Sequence, residues 1–156
     1  MAVKIAVLKE AVAENRVSAT PETAKKFAAL GAQVTVENGA GEGASVPDCD
    51  YEAAGATVGD RQRTVVGADI TLGVQGPDPA AIENAKPGAW IVASLSSFAG
   101  RARVDAYAAG GFEALAMEFM PRITRAQSMD ILSLQSTLPA TRRSSSPPRN
   151  MAALFR

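Results

Sequence analysis

Histidine is absent from this 156-residue chain, which removes imidazole metal ligands and every nucleophilic triad built on a histidine base. Cysteine occurs once, at Cys49, so no internal disulfide can form. A single unpaired thiol is the usage of a reducing cytoplasm. Asp48 and Asp50 flank it, and two carboxylates favour thiol over thiolate, which argues against a reactive nucleophile. No apolar run approaches the ~20 residues that a membrane-spanning helix needs, and no secretory leader pattern opens the chain; a chain soluble by itself is expected. Nowhere does GxGxxG occur, so the glycine-rich dinucleotide cradle is missing from this sequence.

The formal net charge is zero, but it hides an asymmetry. The last 20 residues, 137–156, hold four arginines, three consecutive serines and three prolines with no acidic residue. Residues 1–136 therefore carry 12 basic against 16 acidic side chains. An acidic body argues against nucleic acid as a partner, and the basic tail reads as an incidental phosphate-binding cluster.

Along residues 1–136, short apolar runs alternate with helical segments, the sign of βαβ units and an open, mostly parallel sheet flanked by helices. Strands are expected at residues 4–8, 33–36, 69–74, 89–93 and 112–116, about five in all. Thr20-Pro21 supplies an N-cap and a first-turn proline, with Glu22 favourably placed near the helix N-terminus. Ala24, Phe27, Ala28 and Leu30 form the apolar stripe of that helix, and Gly31 ends it. A short helix is expected at residues 50–54 and a longer one at 101–109, and a proline-containing turn over residues 76–79 leads into 80–84. The Gly39-Ala40-Gly41-Glu42-Gly43 segment invites a phosphate-cradle reading, but no capped amphipathic helix follows at the dinucleotide-motif distance. It is read as a flexible connector.

The densest chemistry lies in Pro121-Arg122-Ile123-Thr124-Arg125-Ala126-Gln127-Ser128-Met129-Asp130, directly after the last apolar run. Open α/β sheets place ligands where a strand opens into such a polar loop; a charged turn capping a helix is the alternative. This loop resembles its counterpart in the alanine dehydrogenase/transhydrogenase family, and more narrowly in domain I of the proton-translocating NAD(P) transhydrogenase alpha subunits. Other segments resemble the same family in matching order: Lys4-Ile5-Ala6-Val7-Leu8-Lys9-Glu10, Glu14-Asn15-Arg16-Val17, Ala19-Thr20-Pro21-Glu22-Thr23, Glu37-Asn38-Gly39-Ala40-Gly41-Glu42 and Asp50-Tyr51-Glu52-Ala53-Ala54-Gly55-Ala56. The resemblance covers roughly residues 2–136.

The resemblance implies a Rossmann-like or flavodoxin-like α/β subdomain that lacks the GxGxxG half, because the family carries its dinucleotide fold in a second subdomain. It implies NAD(H) as cofactor, with NADP(H) bound by a partner domain and hydride passing directly between the two nicotinamides. No acid–base residue and no metal is implied. Arg122, Gln127, Asp130 and Ser133 stand at the positions the family uses around the nicotinamide end of NAD(H). Arg122 offers planar donors for a carbonyl or phosphate, and Gln127 can donate to and accept from an amide or ribose hydroxyl. Asp130 can accept from a ribose hydroxyl or fix the arginine, and Ser133 shares its face if the segment is helical. For each, a structural salt bridge or cap is the alternative. The implied partners are the other transhydrogenase subunits and a second copy in a homodimer of domain I, which would hold the chain on the cytoplasmic face of the inner membrane.

Alanine dehydrogenase is the other branch of the family. Arg16 falls where its substrate-binding arginine lies, but Gly73 stands where its lysine is expected and no histidine is available near residues 95–97. Without those groups an amino-acid substrate cannot be positioned and protonated. Arg16 is instead expected in an ion pair with Glu10 or Glu14.

Past Ser136 the family would continue with a helix reading approximately Asn-Leu-Ala-Gly-Tyr-Lys-Ala-Val. Codons for those residues read one base late can give residues 137–144, and family-like Glu-Tyr-Gly-Arg-Ala-Phe read the same way can give residues 150–155. Residues 137–156 are therefore expected to be a frameshifted, disordered tail, with a natural basic linker as the alternative. A truncated, non-catalytic remnant is the corresponding alternative for the chain as a whole.

Overall fold

The computed structural model describes residues 2–11, 13–121 and Ile123. The chain divides into two compact units, residues 1–117 and 118–156. Of the second unit the described residues are 118–121 and Ile123, where a 3-10 turn over Met117–Phe119 ends.

The first unit is a six-stranded, all-parallel α/β sheet. Its strands are β1 (Lys4–Val7), β2 (Gln33–Glu37), β3 (Thr57–Gly59), β4 (Ile70–Gln75), β5 (Trp90–Ser94) and β6 (Glu113–Ala116). They lie in the order β3-β2-β1-β4-β5-β6, every neighbouring pair parallel. This is the strand order of the doubly wound dinucleotide folds, in which the chain reverses its direction of winding between β1 and β4. Helices α1 (Pro21–Ala29), α2 (Asp48–Ala53), α3 (Arg61–Val65) and α4 (Arg101–Ala109) connect the strands, with 3-10 turns at Glu42–Ala44 and Pro79–Ile82.

A parallel sheet covered on both faces needs strands apolar on both sides, and Ile5, Ala6, Val7 and Leu8 are all buried. Adjacent Val7 and Leu8 feed different cores, as the pleat requires. Val7 joins Ala24, Val34, Val36 and Tyr51; Leu8 joins Val65, Ile82, Ile91, Leu95 and Tyr107. The alternate residues Val34/Val36 and Ile91/Ala93 each keep to one cluster.

Five expected strands become six. β3 has three residues, too few to register as a pattern, and it pairs onto β2 through Thr35↔Thr57 and Val36↔Val58. Helix α3 escapes periodicity for a similar reason: it is a five-residue helix whose visible signal is its cap, the Asp60 carboxylate accepting the Arg63 N–H at 2.8 Å. The first long helix begins where expected, with the Thr20 hydroxyl capping the Thr23 N–H, and Gly31 follows it at φ +86°. Leu30 does not belong to its buried stripe. It sits one residue past the helix end and is 84% exposed, so the stripe narrows to Ala24 with Phe27 packed alongside.

The glycine segment after β2 is closely packed rather than a loose connector. A Cβ on Gly41 would stand 2.6 Å from the Val46 carbonyl oxygen, and one on Gly43 would stand 2.9 Å from the Asn15 backbone. Glycine is needed here because backbone meets backbone. The segment thereby locks the end of β2 to the loop that follows β1.

Candidate functional site

The C-terminal ends of β1 and β4 flank a cavity of about 250 Å³, lined among others by Lys9, Glu10, Arg61, Gly73, Gly76 and Arg103. This is the switch point of the strand order, where open α/β sheets hold ligands. The Glu10 carboxylate leaves β1 and accepts the N–H groups of Val74 and, at 3.2 Å, Gln75. β4 shifts register there relative to β5, between Leu72 and Gln75. Gly73 sits inside the irregularity, and a Cβ on it would stand 2.6 Å from the Gln75 carbonyl oxygen. Burial pushes the Glu10 carboxyl pKa up, against the two amide bonds that favour its ionised form.

The cations around the cavity are engaged by the protein. Glu37, at the end of β2, accepts the Lys9 N–H at 2.9 Å and the Arg61 Nε–H at 3.0 Å, while Arg61 also donates to the Lys9 carbonyl. The Lys9 ammonium pairs with Glu42 at 3.0 Å. Arg103 donates to the Gly76 carbonyl at 3.0 Å, and the Tyr107 hydroxyl donates to the Pro77 carbonyl. Burial pushes the Tyr107 hydroxyl pKa up to about 12, so it stays a neutral donor. A strand-end acid in a dinucleotide fold would face a ribose; here Glu37 instead ties three segments of the chain together. The cleft therefore offers shape and fixed dipoles, and β4 (Ile-Thr-Leu-Gly-Val-Gln) carries no lysine.

Arg16 is held by Glu14. Its Nε donates to Glu14 Oε1 at 2.6 Å, its terminal nitrogen donates to the other oxygen, and Gln75 Nε2 adds a bond at 3.4 Å. The arginine bond pulls the Glu14 pKa from 4.5 down to about 2. Because the folded-state value is depressed, the stabilisation is complete above about pH 4.5 and disappears as pH falls towards about 2. Glu14→Gln is expected to cost about 1 kcal/mol at neutral pH, the scale of a pair whose arginine is half exposed. The cost should vanish in acid; urea unfolding at neutral pH and near pH 2 measures both, and an equal loss at both would refute the assignment.

Of the residues singled out in the sequence, Arg122, Gln127, Asp130 and Ser133 lie outside the described residues. Arg16 is placed, and as an ion-pair partner. Cys49 is exposed, its thiol 3.8 Å from the Asp50 carboxylate. Among the described residues no group of acidic or cysteine side chains could hold a metal, and no helix is long and apolar enough to cross a membrane. Sequence reasoning missed Glu37 and Arg61; the available signal was a carboxylate closing the apolar run Val34-Thr35-Val36.

Residues 6–138 match the family described as "Alanine dehydrogenase/PNT, N-terminal domain". The chain is 44% identical over 142 residues to an NAD(P) transhydrogenase subunit alpha polypeptide of Rhodospirillum rubrum, covering 86% of this chain and 37% of that one. Against "Alanine dehydrogenase" of Mycobacterium tuberculosis the identity is 34% over 106 residues, 67% of this chain and 29% of the relative. In structure it superposes on the crystal structure of transhydrogenase from Sinorhizobium meliloti with a TM-score of 0.83 at 41% identity, covering 86% of this chain and 41% of that one. The chain thus spans about 37% of the length of the transhydrogenase relatives it matches.

Proposed function

The chain belongs to the alanine dehydrogenase/transhydrogenase N-terminal domain family, and on that premise we propose that it is the first subdomain of an NAD(P) transhydrogenase alpha subunit. The observation that carries this reading is the 44% identity to a transhydrogenase alpha subunit over 86% of the chain. The lysine-free β4 and the Glu14-bound Arg16 support it against an amino-acid dehydrogenase. A dehydrogenase must move protons and clamp a carboxylate, whereas hydride transfer between two nicotinamides needs orientation and exclusion of water.

In this reading, residues 1–136 are the subdomain and 137–156 a tail read in another frame. The family match ends at residue 138, in keeping with that boundary. NAD(H) supplies the hydride, and a partner domain holds NADP(H). Arg122 and Gln127 orient the nicotinamide end through planar donors and an amide. Asp130 and Ser133 hold a ribose hydroxyl or brace the arginine. The dinucleotide-binding half, the membrane subunits and a second copy of the domain are the partners, placing the chain at the cytoplasmic face of the inner membrane.

The test is a chimera in which residues 1–136 replace the matching segment of the Rhodospirillum rubrum subunit, assayed for hydride transfer with its partner subunits. Activity is expected, and Arg122→Ala within the chimera should lower it about a hundredfold, the scale of a lost positioning contact. A folded but inactive chimera, or an Arg122→Ala variant at full rate, would count against the reading. A titration of the 156-residue chain with NADH separates the remnant alternative. No saturable binding with cooperative unfolding retained is expected; micromolar binding would mean that the loop alone carries the affinity.

A further inference from the structure

We propose that Asn38–Gly39 is a latent deamidation site and that the Asp48 carboxylate keeps it closed. Asparagine followed by glycine is the pair most open to this chemistry, because no side chain shields the glycine nitrogen. The nitrogen loses its proton and attacks Cγ of the asparagine. A new N–C bond closes a five-membered succinimide, the bond from Cγ to the side-chain nitrogen breaks, and ammonia leaves with the proton. Water then opens the ring at either carbonyl, leaving aspartate or isoaspartate. Water is the only co-reactant.

Asn38 is exposed at the end of β2, where solvent can reach its amide. Its partner nitrogen is not available. The Gly39 N–H lies 3.0 Å from each oxygen of Asp48 in the first turn of α2. Deprotonating it would set an anionic nitrogen against an anionic carboxylate, which like-charge repulsion opposes. The attack therefore has to wait until this bond opens, and a bond to a charged acceptor is among the stronger ones. The backbone adds a constraint: Ala40 N–H donates to the Glu37 carbonyl at 3.0 Å and Gly39 has φ +68°. Residues 37–40 thus form a type II turn that fixes the Asn38–Gly39 peptide.

The location gives the guard its value. An isoaspartate at position 38 would lengthen the backbone by one carbon and add a negative charge next to Glu37, the carboxylate that holds Lys9 and Arg61. The turn leads directly into Gly43, which packs onto Asn15 in the loop after β1. Asp48 thus protects the chemical integrity of the sheet's ligand-facing edge.

The experiment follows conversion at position 38 by peptide mapping and isoaspartate detection during incubation in mildly alkaline buffer. It compares the chain, the chain in urea, Asp48→Ala and Asp48→Asn, with thermal unfolding run on each. The native chain should convert about tenfold or more slowly than in urea, since the bonded amide must first open. Asp48→Ala should approach the urea rate while still unfolding cooperatively. Asp48→Asn should fall between the native chain and Asp48→Ala, because its amide oxygen still accepts from Gly39 but without the charge that opposes deprotonation. A native chain as fast as in urea, or a folded Asp48→Ala as slow as the native chain, overturns the proposal; the latter would assign the protection to the turn. Should Asp48→Ala fail to fold, hydrogen exchange of the Gly39 amide in the native chain decides: slow exchange supports the guard, and exchange at the unprotected rate overturns it.

Discussion

Tyr51→Ala is expected to destabilise the first unit by about 4 kcal/mol, in the range of large aromatic truncations in closed cores. Tyr51 lies on α2 and is completely buried. Its ring belongs to the cluster of Val7, Val34 and Val36, and it sits so close to Gly41 that a Cβ there would come within 3.0 Å. Glycine packing of that kind leaves little freedom for neighbours to fill the gap. The hydroxyl donates to the Ala19 carbonyl at 2.8 Å, joining α2 to the segment before α1. Tyr51→Phe isolates that bond and should cost about 1 kcal/mol. Urea unfolding followed by circular dichroism measures both variants. An alanine variant losing under about 1.5 kcal/mol would mean that the core collapses around the gap.

Glu37→Ala is expected to cost about 3 kcal/mol, because it removes one acceptor that serves two donors. The Lys9 N–H would be left without its carboxylate and the Arg61 guanidinium without its charge partner. Arg61→Ala should cost only about 1 kcal/mol, since that side chain is half exposed and its loss leaves Glu37 bonded to Lys9. Glu37→Gln keeps one carbonyl oxygen and should fall between the two. A double-mutant cycle of Glu37 and Arg61 reads the coupling directly. Equal losses for both single variants would show that the Lys9 bond contributes nothing.

What the sequence disclosed depended on pattern length. β1, β2 and β5 carry buried apolar residues and β4 the half-buried Ile70, Leu72 and Val74, enough for each to stand out, and Thr20-Pro21 with Gly31 brackets α1 by capping chemistry alone. β3 and α3 are too short for periodicity and are specified by tertiary pairing with β2 and by the Asp60 cap. Leu30 misled because it continues a helical spacing past the point where the backbone turns away. At the cleft, the Glu14–Arg16 pair was legible from its closeness in sequence. The Glu37–Arg61 contact spans 24 residues and the Glu10–Val74 contact spans 64, and no local rule joins them. Arg122, Gln127, Asp130 and Ser133 rest on the resemblance and lie beyond the described residues.

The strand order also has a temporal side. β1 is central, flanked by β2 on one edge and β4 on the other, and its pairing with β4 joins Ile5 to Ile70. During synthesis from the N-terminus, β1 and β2 can meet early, but the second edge of β1 stays open until β4 emerges. Long-range parallel pairing is slow because loop closure must precede the contacts that reward it. The apolar run over residues 5–8 is thus the segment most in need of shielding on the ribosome, and the Lys4 amide's bond to the Asp69 carboxylate, across 65 residues, marks the closing of that gap.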